Sequence, residues 1–334
     1  MLLAFLYEYG LFLAQVATLV VALAVMIALI SGAAVKGRPR RGQLEITDLN
    51  QSFYQHQELL QQHLLEKKAF KKWQKTAHKA YEALAEQPKR LFVLEFNGSL
   101  DAREAEALRE EVSAVLSVAT PEDEVLLKLE SGGGVVHGYG LAASQLDRLK
   151  QQKIALTVAV DKVAASGGYM MACVADKILA APFAIVGSIG VIAQIPNFNK
   201  LLKKHDVDFE QFTAGEFKRT VTLFGENTDK GRQKFQQELE ETHQLFKTFV
   251  AEHRPQLALE QVATGEHWFG YQAKALGLVD VLSTSDDYLQ TACKERQVLG
   301  VKFSQRKRLA EKLGSASASF GADLWQRLQQ KRWF

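Results

Sequence analysis

An uncharged, apolar run at residues 10–30 constrains this chain more than any other feature. It reads GLFLAQVATLVVALAVMIALI, and Gln15 and Thr18 are its notable polar side chains. As a helix it would be about 31 Å long, which matches the hydrocarbon thickness of a bilayer. A cleavable signal peptide has a basic start and a shorter apolar core, whereas this start carries Glu8 and no basic residue. The run therefore predicts a retained single-pass anchor, with Ser31-Gly32-Ala33 only a weak cleavage site.

Basic residues directly follow this run, at Lys36, Arg38, Arg40 and Arg41. The positive-inside rule places such a flank in the cytoplasm. The sequence therefore favours a cytoplasmic location for the body. It leaves the other side of the membrane open as an alternative, because long domains can override that rule.

Charge is distributed unevenly along the chain, whose net charge is +3. Residues 31–90 and 302–334 each carry +6, and residues 1–30 carry −1, which leaves −8 for residues 91–301. Basic flanks beside an apolar run indicate contact with anionic lipid. An acidic body lacks the continuous positive surface that phosphate contacts require, so nucleic acid is excluded as a predicted partner.

Four segments follow from these patterns. We predict an anchor at 10–30, a basic helical stalk or linker at 31–90, a body at 91–303 and a basic, aromatic tail at 304–334. Within the stalk, apolar residues recur at helical spacing over residues 45–86, which fits either a solvated helix or an imperfect coiled coil. The tail fits an interfacial membrane contact or packing within an oligomer equally well.

The body alternates short apolar runs with amphipathic stretches. LFVLEF, EVLLKL and IALTVAV are typical of buried strands, and residues 103–116 and 138–149 have helical patterning. Strands that alternate with helices of this length predict parallel crossover units and an α/β fold. A long helix at 229–253 and a last strand at 298–303 complete the prediction.

Two glycine-rich breaks come directly after predicted strands, where α/β folds place their sites. They are Ser131-Gly132-Gly133-Gly134 and Ala164-Ala165-Ser166-Gly167-Gly168-Tyr169. Glycine allows the backbone to approach a substrate and to direct N–H groups at it. Ser166, at a helix start, is a candidate nucleophile. Taken alone, each break is more typical of tight packing than of a functional site.

A serine nucleophile requires a base, and histidine offers none that the sequence identifies. Gly-x-Ser-x-Gly and His-Glu-x-x-His are absent, and the two cysteines lack metal-ligand spacing, so we expect no metal site. His137 lies near the first break on a predicted helix start, as a surface residue. A Ser–Lys dyad remains, and Lys218, after a small-residue turn, has the most favourable local context.

Five ordered motifs resemble the signal peptide peptidase A family of Ser–Lys peptidases, and its short, membrane-anchored bacterial branch in particular. They are Ser131–Gly134, Val163–Tyr169, Gly187-Ser-Ile-Gly-Val191, Gly215-Glu-Phe-Lys218 and Gly265-Glu-His-Trp268. The resemblance covers residues 91–285. It implies a peptidase domain of ClpP/crotonase-like stacked ββα units, no cofactor, and a location in the bacterial inner membrane.

The same resemblance implies the roles of individual residues. Ser166 is the expected nucleophile and Lys218, 52 positions later, the general base. Gly133 and Gly167 are the expected oxyanion donors, and Ser188 an auxiliary hydroxyl that orients the lysine. Gly132 stands where the family has proline, which loosens the loop without removing its N–H donors. The family also implies peptide substrates and a ring-like homo-oligomer in which the lysine can approach a neighbouring subunit's serine.

A lysine that acts as a base must lose its charge near neutral pH, and desolvation is the usual means. We therefore expect Phe217, Val221 and Leu223 to form dry surroundings for Lys218, with Glu216 and Asp229 out of contact. Apolar peptides, including spent signal peptides, are the expected substrates. A crotonase-like acyl-coenzyme A enzyme and a catalytically silent membrane scaffold are the alternatives. Cys173 is predicted to be a buried helix residue.

Overall fold

The computed structural model describes residues 7–21, 42–84 and 87–304. Residues 7–21 are helical, and residues 44–304 form one compact unit. Within the described ranges, no helix combines the length and apolar character needed to cross a bilayer. Residues 22–30 of the predicted anchor and the tail at 305–334 lie outside the described residues.

The compact unit alternates strands and helices in the order of the chain. The strands are β1 (Gln43–Asp48), β2 (Arg90–Asn97), β3 (Glu124–Glu130), β4 (Ala155–Val160), β5 (Val163–Ala165), β6 (Lys177–Ala180), β7 (Ile185–Gly187), β8 (His267–Phe269), β9 (Val281–Leu282) and β10 (Gln297–Ser304). The helices are α1 (Leu49–Leu64), α2 (Lys67–Leu84), α3 (Ala105–Leu116), α4 (Val136–Gln151), α5 (Gly167–Ala172), α6 (Asn199–Lys204), α7 (Asp229–His253), α8 (Leu259–Val262), α9 (Gly270–Ala275) and α10 (Ser285–Glu295).

Seven strands form a large sheet in the order β1-β10-β2-β3-β4-β6-β9, and its pairings from β10 to β9 are parallel. A small second sheet has the order β5-β7-β8. Strand β4 of the large sheet is followed by β5 of the small sheet and then by helix α5, which makes one ββα unit. The predicted α/β class with parallel crossovers is confirmed, and this sheet arrangement fits the ClpP-like expectation.

Both faces of the large sheet are covered, which explains why its central strands are nearly continuous apolar runs. On one face, helices α3, α4 and α5 pack against residues such as Leu94, Leu127 and Val158. On the other face, α10 and the start of α1 cover Leu91 and Leu126. The carboxyl ends of β3 and β5 lie beside each other, because Ser131 bridges Ala164 in parallel register. The two glycine-rich breaks therefore meet at one edge.

The segment predicted as a single helical stalk has a different structure. It starts with strand β1 and continues as an antiparallel hairpin of α1 and α2 with a break after Leu64. Asn50, buried in α1, donates to the carbonyls of Cys293 and Arg296 at 3.0 and 2.9 Å and accepts from the N–H of Val298 at 2.7 Å. The hairpin is thus fixed to the sheet, a long-range contact that local periodicity does not report.

Candidate active site

Ser166 lies at the sharp junction between β5 and α5. Its φ of 52° and ψ of −118° are unusual for a residue with a side chain, and such strain is found mostly at functional sites. Its N–H donates to the carbonyl of Gly187 at 2.8 Å, and its carbonyl accepts from the N–H of Met170 at 3.0 Å. These bonds hold the strained backbone and so fix the direction of the Cα–Cβ bond of Ser166.

The residues after Ser166 must be glycine for this turn to form. A Cβ on Gly167 would lie 2.4 Å from Cγ of Tyr139, and one on Gly168 would lie 2.5 Å from the carbonyl oxygen of Ser131. Both distances are far below van der Waals contact. A role in tight packing and a role in function are therefore compatible for this break, because the close packing of the two glycines holds the turn that positions Ser166.

The first glycine loop approaches Ser166 closely. Gly133 has a φ of 86°, and a Cβ there would lie 2.7 Å from both Cβ of Ser166 and the N atom of Gly167. As the first residue of α5, Gly167 has an N–H that no preceding helical turn satisfies. The N–H of Gly133 instead donates to Oγ of Ser131 at 3.0 Å. The structure thus brings the two predicted oxyanion residues together but engages one of their N–H groups internally.

Ser188 joins the same region through the small sheet. Its φ is 52°, its N–H donates to the carbonyl of Glu266 at 2.6 Å, and its hydroxyl donates to the carbonyl of Gly265 at 3.4 Å. Antiparallel pairing of β7 with β8 aligns Gly187 with His267. Two motifs that are about 80 residues apart in sequence are therefore neighbours in the fold.

One cavity of about 800 Å³ contains Gly133, Ser166, Gly167 and Ser188 in its lining. Helix α7 forms another wall with Thr242, His243 and Phe246, none of which the sequence analysis assigned to the site. The remaining lining side chains are mostly apolar and include Leu100, Val136, Met170, Val191 and Ile192. The cavity can hold an extended apolar segment beside the serine hydroxyl.

His243 is the imidazole of this cavity. Its Nε2 lies 3.2 Å from the carbonyl oxygen of Ile189. A carbonyl only accepts, so Nε2 is the donor in this hydrogen bond. No sequence signal identified His243, because its helix reaches the site only through the tertiary fold.

Lys218 lies on an exposed loop between α6 and α7, where its N–H donates to the carbonyl of Gly215 at 3.2 Å. It is not among the described residues that line the Ser166 cavity. Phe217 and Leu223 are exposed rather than packed around it. Glu216 forms its ion pair with Lys230, and no ion pair within the described ranges involves Lys218. The expected dry surroundings are therefore not formed by this loop within one chain.

Cys173 and the pair of Arg254 with Asp280 have structural roles and do not line the cavity. Cys173 is buried, as predicted, but it follows α5 rather than lying within it, and burial raises the pKa of its thiol well above its ordinary value. Arg254, buried at the end of α7, donates to Asp280 at 2.7 and 2.9 Å and to the carbonyl of Gly277 at 3.0 Å. Burial opposes ionisation of Asp280, but hydrogen bonds from Arg254 and from the N–H of Ile178 hold its pKa below its ordinary value.

Comparison with known proteins identifies the family. The model of the peptidase family S49 N-terminal region matches residues 4–146, and that of peptidase family S49 matches residues 148–299. A probable protease SohB of Haemophilus influenzae is 53% identical over 97% of this chain and 96% of its own length. A probable protease SohB of Buchnera aphidicola is 59% identical over 69% of this chain and 68% of its own.

A putative signal peptide peptidase SppA of Enterococcus faecium is 29% identical over 61% of this chain and 60% of its own length. These findings confirm the resemblance that the five motifs carried. The chain belongs to peptidase family S49.

Proposed function

We propose that this peptidase is a membrane-bound serine endopeptidase with Ser166 as its nucleophile and Lys218 as its general base. The observation that carries the proposal is the strained backbone of Ser166 at the edge of the apolar cavity, beside the N–H of Gly167. A positive φ on a serine that is held by hydrogen bonds on both sides is typical of a nucleophile presented at a sharp strand–helix turn.

The proposed reaction proceeds through an acyl-enzyme. The Lys218 amine takes the proton of the Ser166 hydroxyl while Oγ forms a bond to the peptide carbonyl carbon. The N–H of Gly167 stabilises the oxyanion, and Gly133 becomes the second donor when its N–H turns from Ser131 to the substrate. The C–N bond then breaks as the amine leaves with a proton. Water hydrolyses the ester, and Ser188 orients the lysine.

We propose that Lys218 acts on the serine of a neighbouring subunit in a ring-like homo-oligomer. The support is that Lys218 lies away from the lining of its own chain's cavity, on a segment with much exposed apolar surface. Phe212 is 90% exposed, and Val207 and Phe217 on the same loop are also exposed. Exposed apolar patches of this kind are typical of protein–protein contacts. A second copy would cover this segment and supply the desolvation that a lysine base requires.

Apolar peptides are the proposed substrates, and spent signal peptides are the leading class. The cavity lining supports this because Leu100, Met170 and Phe246 offer apolar contacts on several sides. We place the enzyme in the bacterial inner membrane with the apolar run at 10–30 as its anchor, where such peptides are released.

A serine-reactive phosphonate tests the nucleophile directly. We expect the purified oligomer to be labelled at Ser166 and the Ser166→Ala variant to remain unlabelled. An intact oligomer that takes no label would instead support a catalytically silent scaffold.

Mixing of inactive variants tests the shared dyad. Ser166→Ala and Lys218→Ala are each expected to be inactive, and co-assembly should restore activity, because some interfaces then combine an intact serine with an intact lysine. If activity does not return although mixed oligomers form, both groups act within one chain.

A further inference from the structure

Helix α2 carries a concentrated positive surface that the proposed peptidase function does not use. Six of its side chains are lysines, at positions 67, 68, 71, 72, 75 and 79. At 3.6 residues per turn these lysines fall within an arc of about 140° on one side of the helix. We call this surface the lysine face. All six lysines are exposed, and no ion pair within the described residues involves any of them.

The opposite side of α2 is occupied by its contact with α1. The ring of Tyr54 in α1 stacks with Trp73 and Tyr81 of α2 at centroid distances of 6.2 and 5.9 Å. Tyr81 also donates to Asp48 at 2.8 Å, and Gln74 donates to Glu58 at 2.5 Å. Because these contacts fix the rotation of α2 about its axis, the lysine face is held away from α1.

The lysine face is also fixed relative to the sheet. Asn50 at the start of α1 makes three hydrogen bonds to the end of α10 and the start of β10, two of them buried. The far end of the hairpin exposes Leu59, Leu60 and Leu64, which are 61%, 66% and 74% exposed. A rigid array of cations beside exposed leucines has the two components that an interfacial membrane contact requires.

We propose that the lysine face of α2 binds the anionic surface of a bilayer, with the leucines at the hairpin end entering the headgroup region. The bound groups are lipid phosphates, and the contact orients the compact unit on the membrane independently of the peptidase chemistry. Anionic lipid fits better than nucleic acid. A planar bilayer touches this one face, whereas a long polyanion would also meet the acidic body, whose net charge is −8 over residues 91–301.

Lysine acetylation followed by mass spectrometry tests this proposal on the full chain reconstituted in bilayers. One bilayer is phosphatidylcholine alone, and the other contains phosphatidylcholine and phosphatidylglycerol at about 3:1. We expect Lys72 and Lys79 to be acetylated at least about fivefold more slowly on the anionic bilayer. This factor corresponds to the attraction of one surface lysine to an anionic membrane. Lys200 and Lys274, exposed on the body, should react equally on both. The protection should vanish at about 0.5 M salt because the attraction is screened.

A triple variant, Lys67→Glu with Lys71→Glu and Lys75→Glu, should abolish the protection of Lys72 and Lys79. The matched control changes Lys200, Lys204 and Lys274 to Glu, which alters the net charge equally on another surface and should leave the protection intact. Glutamine replacements at 67, 71 and 75 repeat the test if the glutamates impair folding. Equal reactivity of the wild type on both bilayers would overturn the proposal. The proposal would also be overturned if a DNA duplex without lipid protected Lys72 and Lys79 while the anionic bilayer gave no protection.

Discussion

The hydroxyl of Tyr139 lies 2.5 Å from Oγ of Ser131, directly behind the first glycine loop. The same hydroxyl donates to the carbonyl of Ser99 at 2.8 Å, and a carbonyl can only accept. Ser131 must therefore donate to Tyr139, which leaves its oxygen to accept the N–H of Gly133 at 3.0 Å. This directed chain of hydrogen bonds ties the loop to α4, although Gly132 leaves the loop backbone itself unrestricted.

Removal of this hydroxyl should loosen the loop while the ring stays in place. In Tyr139→Phe the ring still fills the space against Gly167, but Ser131 and the carbonyl of Ser99 lose a buried partner. We expect a loss of roughly 1–3 kcal/mol in the free energy of unfolding. We also expect kcat to fall by about 10- to 100-fold with little change in KM, because the oxyanion donor is misplaced.

The matched control is Tyr288→Phe. This hydroxyl is also hydrogen-bonded, to Glu124, but it lies on α10 away from the cavity. Urea unfolding and steady-state kinetics on an apolar peptide separate the two effects. The role of the Tyr139 hydroxyl in positioning the first glycine loop is wrong if both variants lose kcat in proportion to their loss of stability.

Two glycines only 27 residues apart should respond in opposite directions to alanine. A Cβ on Gly167 would lie 2.4 Å from the Tyr139 ring, so Gly167→Ala should cost about 2 kcal/mol or more and remove activity. Gly140 lies within α4 and a Cβ there meets nothing within 4 Å. Gly140→Ala should therefore increase the free energy of unfolding by roughly 0.5–1 kcal/mol. A tolerated Gly167→Ala would contradict the close packing of Tyr139 beneath the turn.

The ion pair of Arg254 and Asp280 should dominate stability at the end of α7. Asp280→Asn leaves the buried guanidinium of Arg254 without its counter-charge, and we expect a loss of about 3–5 kcal/mol at pH 7. The exposed pair of Lys203 and Glu226 is the control, and Glu226→Gln should cost less than about 1 kcal/mol.

The difference in the free energy of unfolding between the wild type and Asp280→Asn should depend on pH. The folded protein holds the pKa of Asp280 below its ordinary value of 3.8, so the carboxylate stabilises the fold above that value. Wild type should lose this advantage over Asp280→Asn as the pH falls through 3.8 and below. Thermal unfolding between pH 3 and pH 7 measures the change, and a constant gap between the two proteins would argue against it.

Local patterns predicted the α/β class and the strands β2, β3, β4 and β10, since buried parallel strands such as LFVLEF leave a direct mark on the sequence. The short strands of the small sheet and at the sheet edges were not predicted. A position directly after a predicted strand pointed to the two glycine-rich breaks and to Ser166, whereas Gly133, Gly167 and Ser188 were assigned to the site by the family resemblance. The common cavity of these residues agrees with that grouping. The hairpin was not predicted, because the break after Leu64 contains no proline or glycine and Asn50 acts over more than 240 residues. His243 was not predicted either, because its helix reaches the cavity only through the tertiary fold. On the proposed function, the position of Lys218 relative to a serine depends on how chains assemble, which one sequence does not encode locally.

A buried carboxyl on α3 gives the last prediction. Glu111 accepts the N–H of Phe303 at 2.8 Å, and burial raises the pKa of its side chain from 4.5 to about 6 although that hydrogen bond and Lys302 oppose the shift. Because the neutral form is favoured in the fold, the contribution of Glu111 to stability is greatest below pH 4.5 and declines as the pH rises to about 6. Above that pH the ionised side chain costs up to about 2 kcal/mol.

Glu111→Gln keeps an oxygen for Phe303 and cannot ionise. We expect it to exceed the wild type in free energy of unfolding by up to about 2 kcal/mol at pH 7.5, with the gap closing near pH 4. Glu110→Gln, on the same helix but half exposed beside Arg109, should change stability by less than about 1 kcal/mol at both pH values. Urea titrations of the three proteins decide the matter. A Glu111→Gln protein that is less stable than the wild type at pH 7.5 would mean that the ionised carboxylate, through Phe303 and Lys302, holds β10 against α3.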